Sequence, residues 1–297
     1  MKPISTTTFN ISVREEKGDD DKGSVPAKNL AADQAQVQAQ AKTQMQTQAQ
    51  STASRTTSIN RVQMQPAFIL HRYPYRETSL IIEAFTREYG RVSLIAKGAK
   101  RPHSALRSAL HIFAPLSLSW SGRSELKTLT HAEWMGGITP LAGKAVLSGF
   151  YLNELLIRFL AREDPHEKLF QHYFHSMACL AAGDSSSHVL RVFERHLLRE
   201  VGYGRAFSAH VKSNVGLDNN QLYVFDPDHG WRLPRHGDPK QWPQINGQSV
   251  RDIVEDNDHK PQSALQSRAL MRFLLSYYLD GQILKTRQIL LDLKKLT

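Results

Sequence analysis

Within the eleven residues Lys97-Gly98-Ala99-Lys100-Arg101-Pro102-His103-Ser104-Ala105-Leu106-Arg107 stand four cations and no carboxylate. Cations at that density attract phosphate oxygens without a competing acid, and Gly98 lets the backbone approach a ligand closely. A solvated basic loop is the competing reading. Arg72, Arg76, Arg91 and Lys127 lie at predicted strand ends and turns nearby, interleaved with Tyr73, Tyr75 and Tyr89. A single nucleic-acid strand offers phosphates to such cations and bases to such rings, although each tyrosine also suits core packing.

Further along, Arg191, Arg195 and Arg199 fall four residues apart, which aligns three guanidinium groups on one helical face. Val192, Phe193, Leu197 and Leu198 border the stripe. An apolar pocket beside cations fits a short acidic peptide tail with hydrophobic residues, and Arg191, Phe193, Arg195 and Arg199 are its predicted contacts. Local pairing of the arginines with Glu194 and Glu200 is the alternative.

Catalytic patterns are sparse. The chain has no GxxxxGK[ST], GxSxG or HExxH motif. Cys179, the only cysteine, has His175 four residues earlier, a spacing that activates a thiolate in principle but more often accompanies an inert, buried thiol. Asp226-Pro227-Asp228-His229, with His210 and His236, matches no metal-ligand spacing and reads as turn chemistry. No catalytic residue, metal or cofactor is expected.

Composition frames these features. The formal charge is +10 and the first 64 residues account for +2 of it, so the remaining 233 residues hold the basicity. That favours a polyanionic partner. One cysteine excludes an intrachain disulfide, and the sequence has neither a bilayer-spanning apolar run nor a signal-peptide pattern, so a soluble, cytoplasmic protein without a membrane partner is expected.

Residues 1–64 are read as a disordered tail, because Ala31 to Gln50 is almost wholly Ala, Gln, Thr and Met and has too few large apolar groups to offset the entropy of ordering. From 65 to 140, alternation predicts five strands: Ala67 to Arg72, Ser79 to Thr86, Arg91 to Ala96, Ile112 to Trp120 and Glu125 to His131. A short helix is predicted within Arg101 to Leu110. Five strands with one inserted helix suggest a small closed barrel and match the oligonucleotide/oligosaccharide-binding (OB) fold, a five-stranded barrel that is commonly partly open, with an SH3-like barrel as the alternative, both antiparallel.

From 141 to 297 the period becomes helical. Apolar spacing marks segments beginning near Leu147 and covering His166 to Ala182, Ser187 to Val201, Ala264 to Leu279, Ser276 to Leu284 and Thr286 to Leu296. An irregular insert, about 202–244, interrupts them with candidate strands at Gln221 to Phe225 and Trp231 to Leu233. The expected class is α+β, an OB barrel followed by a helical domain.

The run Gln65-Pro66-Ala67-Phe68-Ile69-Leu70-His71, then Glu77-Thr78-Ser79-Leu80, Gly90-Arg91-Val92, Lys97-Gly98-Ala99, Leu126-Lys127-Thr128-Leu129, Tyr151-Leu152-Asn153-Glu154-Leu155-Leu156 and Gly202-Tyr203-Gly204 resembles the RecO family. The resemblance runs from Gln65 to the C-terminus. It implies an OB domain with a helical domain, acting as a recombination mediator in bacterial gap repair. It implies binding of single- and double-stranded DNA, annealing of complementary strands, engagement of the acidic C-terminal tail of single-stranded-DNA-binding protein, and work with RecR in loading RecA, near the nucleoid. Some relatives carry a four-cysteine zinc module where this chain has Gly202 to Gln244 without cysteine, so zinc is not expected. Met64, just ahead of the recognisable part, is read as an alternative start.

Overall fold

The computed structural model describes residues 61–207, 217–257 and 260–295. Most of the segment read as a tail, and His210, lie outside the described residues. Five strands, β1 (Arg61–Tyr75), β2 (Ser79–Thr86), β3 (Gly90–Ala96), β4 (Pro115–Ser121) and β5 (Leu126–Trp134), close into a barrel in the order β1-β2-β3-β5-β4. The five-residue helix α1 (Ala105–Ala109) lies between β3 and β4. This is an OB fold of α+β class, as the sequence indicates. The barrel is closed. One expectation is corrected: the pairing is not wholly antiparallel, because β3 pairs parallel with β5 through Ser93↔Leu126 and Ile95↔Thr128.

Side-chain alternation explains the closure. Ala67, Ile69, Ile82, Ala84, Val92, Leu94, Leu116, Leu118 and Trp120 point inward and are buried together. β1 starts four residues before the predicted domain start at 65 and three before Met64. Val62 is buried and opposes Trp120, so the strand uses residues on the N-terminal side of Met64. Register irregularities between Val62 and Gln65 and between Ile69 and His71 bend this long strand. Its first half thereby pairs with β4 and its second with β2.

The apolar run Ala67-Phe68-Ile69-Leu70 is unbroken because β1 is covered on both faces. Phe68, Leu70 and Phe85 turn away from the barrel interior into the helical core. There Phe68 meets Tyr173 edge-on with ring centroids 4.9 Å apart, and Phe85 meets Phe170 at 5.4 Å. Burying each such side chain contributes roughly 1.5–3 kcal/mol. Asn153 locks the seam: its amide donates to the Leu70 carbonyl at 2.9 Å while its oxygen accepts from the Tyr173 hydroxyl at 2.5 Å. Gly90, at φ +62°, sits so close to the Asp164 carbonyl that a Cβ there would fall 2.0 Å from its oxygen.

Helices α2 (Lys144–Phe159), α3 (Glu167–Ala182) and α4 (Ser186–Glu200) form the first part of the helical region. The insert holds a 3₁₀ turn (Gly204–Phe207) and a three-stranded sheet, β6 (Leu222–Asp226), β7 (Gly230–Arg232) and β8 (Gln244–Asn246), ordered β7-β6-β8. Neither β8 nor the following α5 (Gly247–Val254) is predicted from the sequence. α6 (Pro261–Tyr278) and α7 (Lys285–Lys295) complete the chain. The predicted helical segment Ser276 to Leu284 is instead the end of α6 and a turn, with Asp280 and Gly281 at φ +50° and +73°. Glu154 of α2 accepts from the Lys285 and Thr286 amides and the Thr286 hydroxyl, capping α7. Among the described residues no helix is long and apolar enough to cross a membrane.

Candidate nucleic-acid interface

The loop leaving β3 is pinned through its backbone. The Lys100 amide donates to the Thr78 carbonyl at 2.8 Å and the Gly98 amide to the Ser79 hydroxyl at 3.4 Å. Ala99 is buried between them, and Gly98 supplies the left-handed turn at φ +69°. These contacts fix the loop against the β1–β2 turn while Lys97, Lys100, Arg101, His103 and Arg107 stay exposed. Among the described residues, none of Lys97, Lys100, Arg101 and Arg107 has an ion-pair partner.

The same barrel end receives Arg76 and Arg72. Arg76, in the β1–β2 turn, is exposed with its guanidinium 5.2 Å from the Tyr75 ring centre. Arg72 is exposed along part of its length but donates to the Leu110 carbonyl at 2.7 Å, which ties the end of α1 to β1. Tyr73 is exposed and packs on His71 with centroids 4.2 Å apart, whereas Tyr89 is half-buried against Trp120. Six predicted cations, Arg72, Arg76, Lys97, Lys100, Arg101 and Arg107, thus gather at one end with one exposed ring pair.

Arg91 and Lys127 do not join them. Arg91 lies in the seam between barrel and helices, donating to the Leu160 carbonyl and to buried Glu83, both at 3.2 Å. Lys127 pairs with Glu163 and donates to the Ser124 carbonyl. Glu83 is the reason the sequence misleads here. Both Arg91 and Arg162 neutralise a carboxylate that only folding brings inward.

The arginine stripe on α4 is also divided by the fold. Phe193 and Arg195 are fully buried: Phe193 packs in the core, and Arg195 donates to Asp256 at 2.6 Å and to Ser267 at 3.3 Å. Arg199 is held by Asp256 at 2.9 Å and by the Val254 carbonyl. Their acidic partner comes from the turn after α5 and not from Glu200, so no helix-local rule reveals it. Burial corrects the assignment of Phe193 and Arg195 as tail contacts, while Arg199 is half-buried and engaged by Asp256.

Arg191 alone reaches a surface cleft. About 560 Å³ in volume, the cleft is lined by His175, Cys179, His188, Val189, Arg191 and Ala264, among others. One guanidinium nitrogen of Arg191 donates to Glu194 at 2.5 Å, and the Tyr151 hydroxyl donates to the same oxygen at 2.6 Å. Burial pushes the Glu194 carboxyl up, opposed by the Arg191 charge. Cys179 stands 3.5 Å from His175, and burial with the neighbouring Asp184 raises its thiol, which suits a wall residue and not a nucleophile. His175, His188 and Ala264 were absent from the predicted contacts because the cleft joins three separate helices, the consecutive α3 and α4 and the distant α6.

In the insert, Asp226 accepts from the Asp228 and His229 amides at 3.0 and 3.2 Å, a turn-forming aspartate. Arg232 bridges it, at 3.2 Å, to Asp238, whose two oxygens it engages at 3.0 and 2.6 Å, and lies over Trp242. Arg232→Ala is expected to lower stability by about 2 kcal/mol and to raise amide exchange in β6 and β7. Exchange protection unchanged from wild type would remove this staple from the account.

Comparison with known proteins places these features. The profile described as Recombination protein O N terminal matches residues 61–138, and Recombination protein O C terminal matches 141–241. The chain is 57% identical over 240 residues to DNA repair protein RecO of Burkholderia pseudomallei (strain 1710b), covering 81% of this chain and 87% of that one. Similarity to the protein of that name from Cupriavidus pinatubonensis is 56% over 236 residues, covering 80% and 81%. For Polynucleobacter asymbioticus it is 49% over 240 residues, covering 80% and 98%. An OB barrel with a basic end, fused to a helical region and matched along both parts, belongs to the RecO family of DNA repair and recombination proteins.

Proposed function

We propose that this chain is a non-catalytic recombination mediator that uses two separate surfaces. The barrel end around Lys97, Lys100, Arg101 and Arg107 holds single- and double-stranded DNA through phosphates. The α3–α4–α6 cleft takes the acidic, apolar C-terminal tail of single-stranded-DNA-binding protein, with Arg191 meeting a carboxylate and the apolar wall receiving a side chain. The observation that carries this reading is the gathering of six cations on one pinned barrel end, four of them with no ion-pair partner among the described residues.

In this scheme the protein holds coated strand at the cleft and naked strand at the barrel, so that complementary strands anneal. With RecR it helps load RecA, in the cytoplasm at the nucleoid. No bond is made or broken. Backbone anchoring of the Lys97 loop supports a stationary scaffold, because the cations are presented by a fixed loop.

The test is annealing of complementary strands precoated with cognate single-stranded-DNA-binding protein, compared with the same protein lacking its tail. Tail-dependent annealing is expected, with Arg191→Ala lowering tail-peptide affinity about tenfold while sparing oligonucleotide binding. Cys179 adds a direct readout: as the only cysteine and a cleft wall, it should be alkylated more slowly when the tail peptide is bound. DNA binding without tail dependence or Cys179 protection would instead favour a generic nucleic-acid-binding barrel, such as an RNA module of translation.

A further inference from the structure

One exposed line of charge leaves the cleft unexplained. Helix α6 contributes Ala264 to the cleft wall and contains two arginines and no acidic residue along its 18 residues. Ala264, Arg268 and Arg272 follow one another at four-residue spacing, so they form a single stripe, and all three are exposed. Among the described residues neither Arg268 nor Arg272 has an ion-pair partner. Leu270, Met271, Leu274 and Leu275 of the same helix are buried, and Met271 and Leu275 follow Arg268 and Arg272 at three-residue spacing, so the stripe runs along the rim of the buried face.

We infer that Arg268 and Arg272 form a track for the acidic residues of an extended peptide whose end occupies the cleft. This inference rests on the reading of the cleft as a peptide site. Spacing favours it: four helical residues rise about 6 Å, while an extended chain advances about 3.3 Å per residue. Arg268 therefore stands roughly two peptide residues from Ala264, and Arg272 roughly four. Carboxylates at those offsets meet one guanidinium each. No aromatic residue lies at 264, 268 or 272 to stack a base, which separates this stripe from a single-strand platform.

Fluorescence anisotropy with the full chain tests the track. One probe is a labelled peptide of about ten residues with a run of aspartates ahead of an apolar C-terminal residue bearing a free carboxylate. The second has asparagine at each aspartate. The Arg268→Ala/Arg272→Ala protein is expected to bind the acidic peptide about fivefold more weakly than wild type, with a flatter salt dependence, and to bind the neutral peptide equally well. Arg191→Ala should weaken both peptides.

Equal affinity of the double variant and wild type for the acidic peptide would overturn the track and leave the cleft reading intact. Failure of the wild-type protein to bind either peptide would overturn the cleft reading and the track with it. Loss of oligonucleotide affinity with full peptide affinity would make the stripe a nucleic-acid surface and overturn the peptide assignment. A melting temperature equal to wild type is expected for the double variant, since both side chains are exposed.

Discussion

Lys100→Glu combined with Arg101→Glu is expected to weaken binding of a labelled single strand by about tenfold or more near physiological salt. The slope of log affinity against log salt should fall by about 1.5 as two phosphate contacts and their released counterions are lost. The structure makes this substitution clean. The loop holds its shape through the Lys100 amide, the Gly98 turn and the buried Ala99 side chain, none of which the reversal removes. The melting temperature should therefore stay near wild type. Arg91→Glu provides the contrast: it places two carboxylates side by side in the seam with Glu83, so it should lower stability and leave the salt slope of the folded protein unchanged. A salt slope unmoved by the Lys100/Arg101 reversal would mean that the phosphate path avoids this barrel end.

What could be read from sequence follows from which interactions are local. Barrel strands were legible because alternation encodes an inside and an outside. β1 was legible only as its middle part, Ala67 to Arg72, and its Phe68 and Leu70 face a second core that alternation does not anticipate. The Lys97 loop was legible as a basic cluster because its cations are close in sequence and, among the described residues, no carboxylate forms an ion pair with Lys97, Lys100, Arg101 or Arg107. Arg91, Lys127, Arg195 and Arg199 were misread for the opposite reason. Their partners are 8, 36, 61 and 57 residues distant, and spacing along one helix or strand carries no trace of them. The cleft escaped for the same cause, since α3, α4 and α6 each supply an unremarkable part of its wall.

Arg195→Ala follows from that correction and is expected to destabilise the fold by about 3–5 kcal/mol, because it removes a fully buried side chain, strands the buried Ser267 hydroxyl and leaves the half-buried Asp256 with Arg199 alone among the described residues. At roughly 2–4 °C per kcal/mol for a unit of this size, the melting temperature should fall on the order of 10 °C. Arg195→Lys should recover only part of the loss. A single ammonium cannot reproduce the guanidinium geometry that meets Asp256 and Ser267 together. Burial alone would raise the Asp256 carboxyl, but the hydrogen bond from Arg199 and the charges of Arg195 and Arg199 outweigh it and hold it below the usual carboxylate range. Nearby His196, stacked 3.5 Å from His172, is pushed down to about 4 by burial and by that facing imidazole. Both folded-state values are depressed, so the unfolded chain binds more protons as the pH falls. Wild-type stability should accordingly decline from about pH 6.5 towards 4 as His196 comes under load, and further below about 3.9 as Asp256 protonates. Arg195→Ala should lose less in that second step, since its Asp256 has already lost one cation. Thermal melts across this range check the sequence of losses. Below its melting temperature the variant should bind tail peptide as wild type does, and an unchanged melting temperature with lost peptide affinity would return Arg195 to the binding surface.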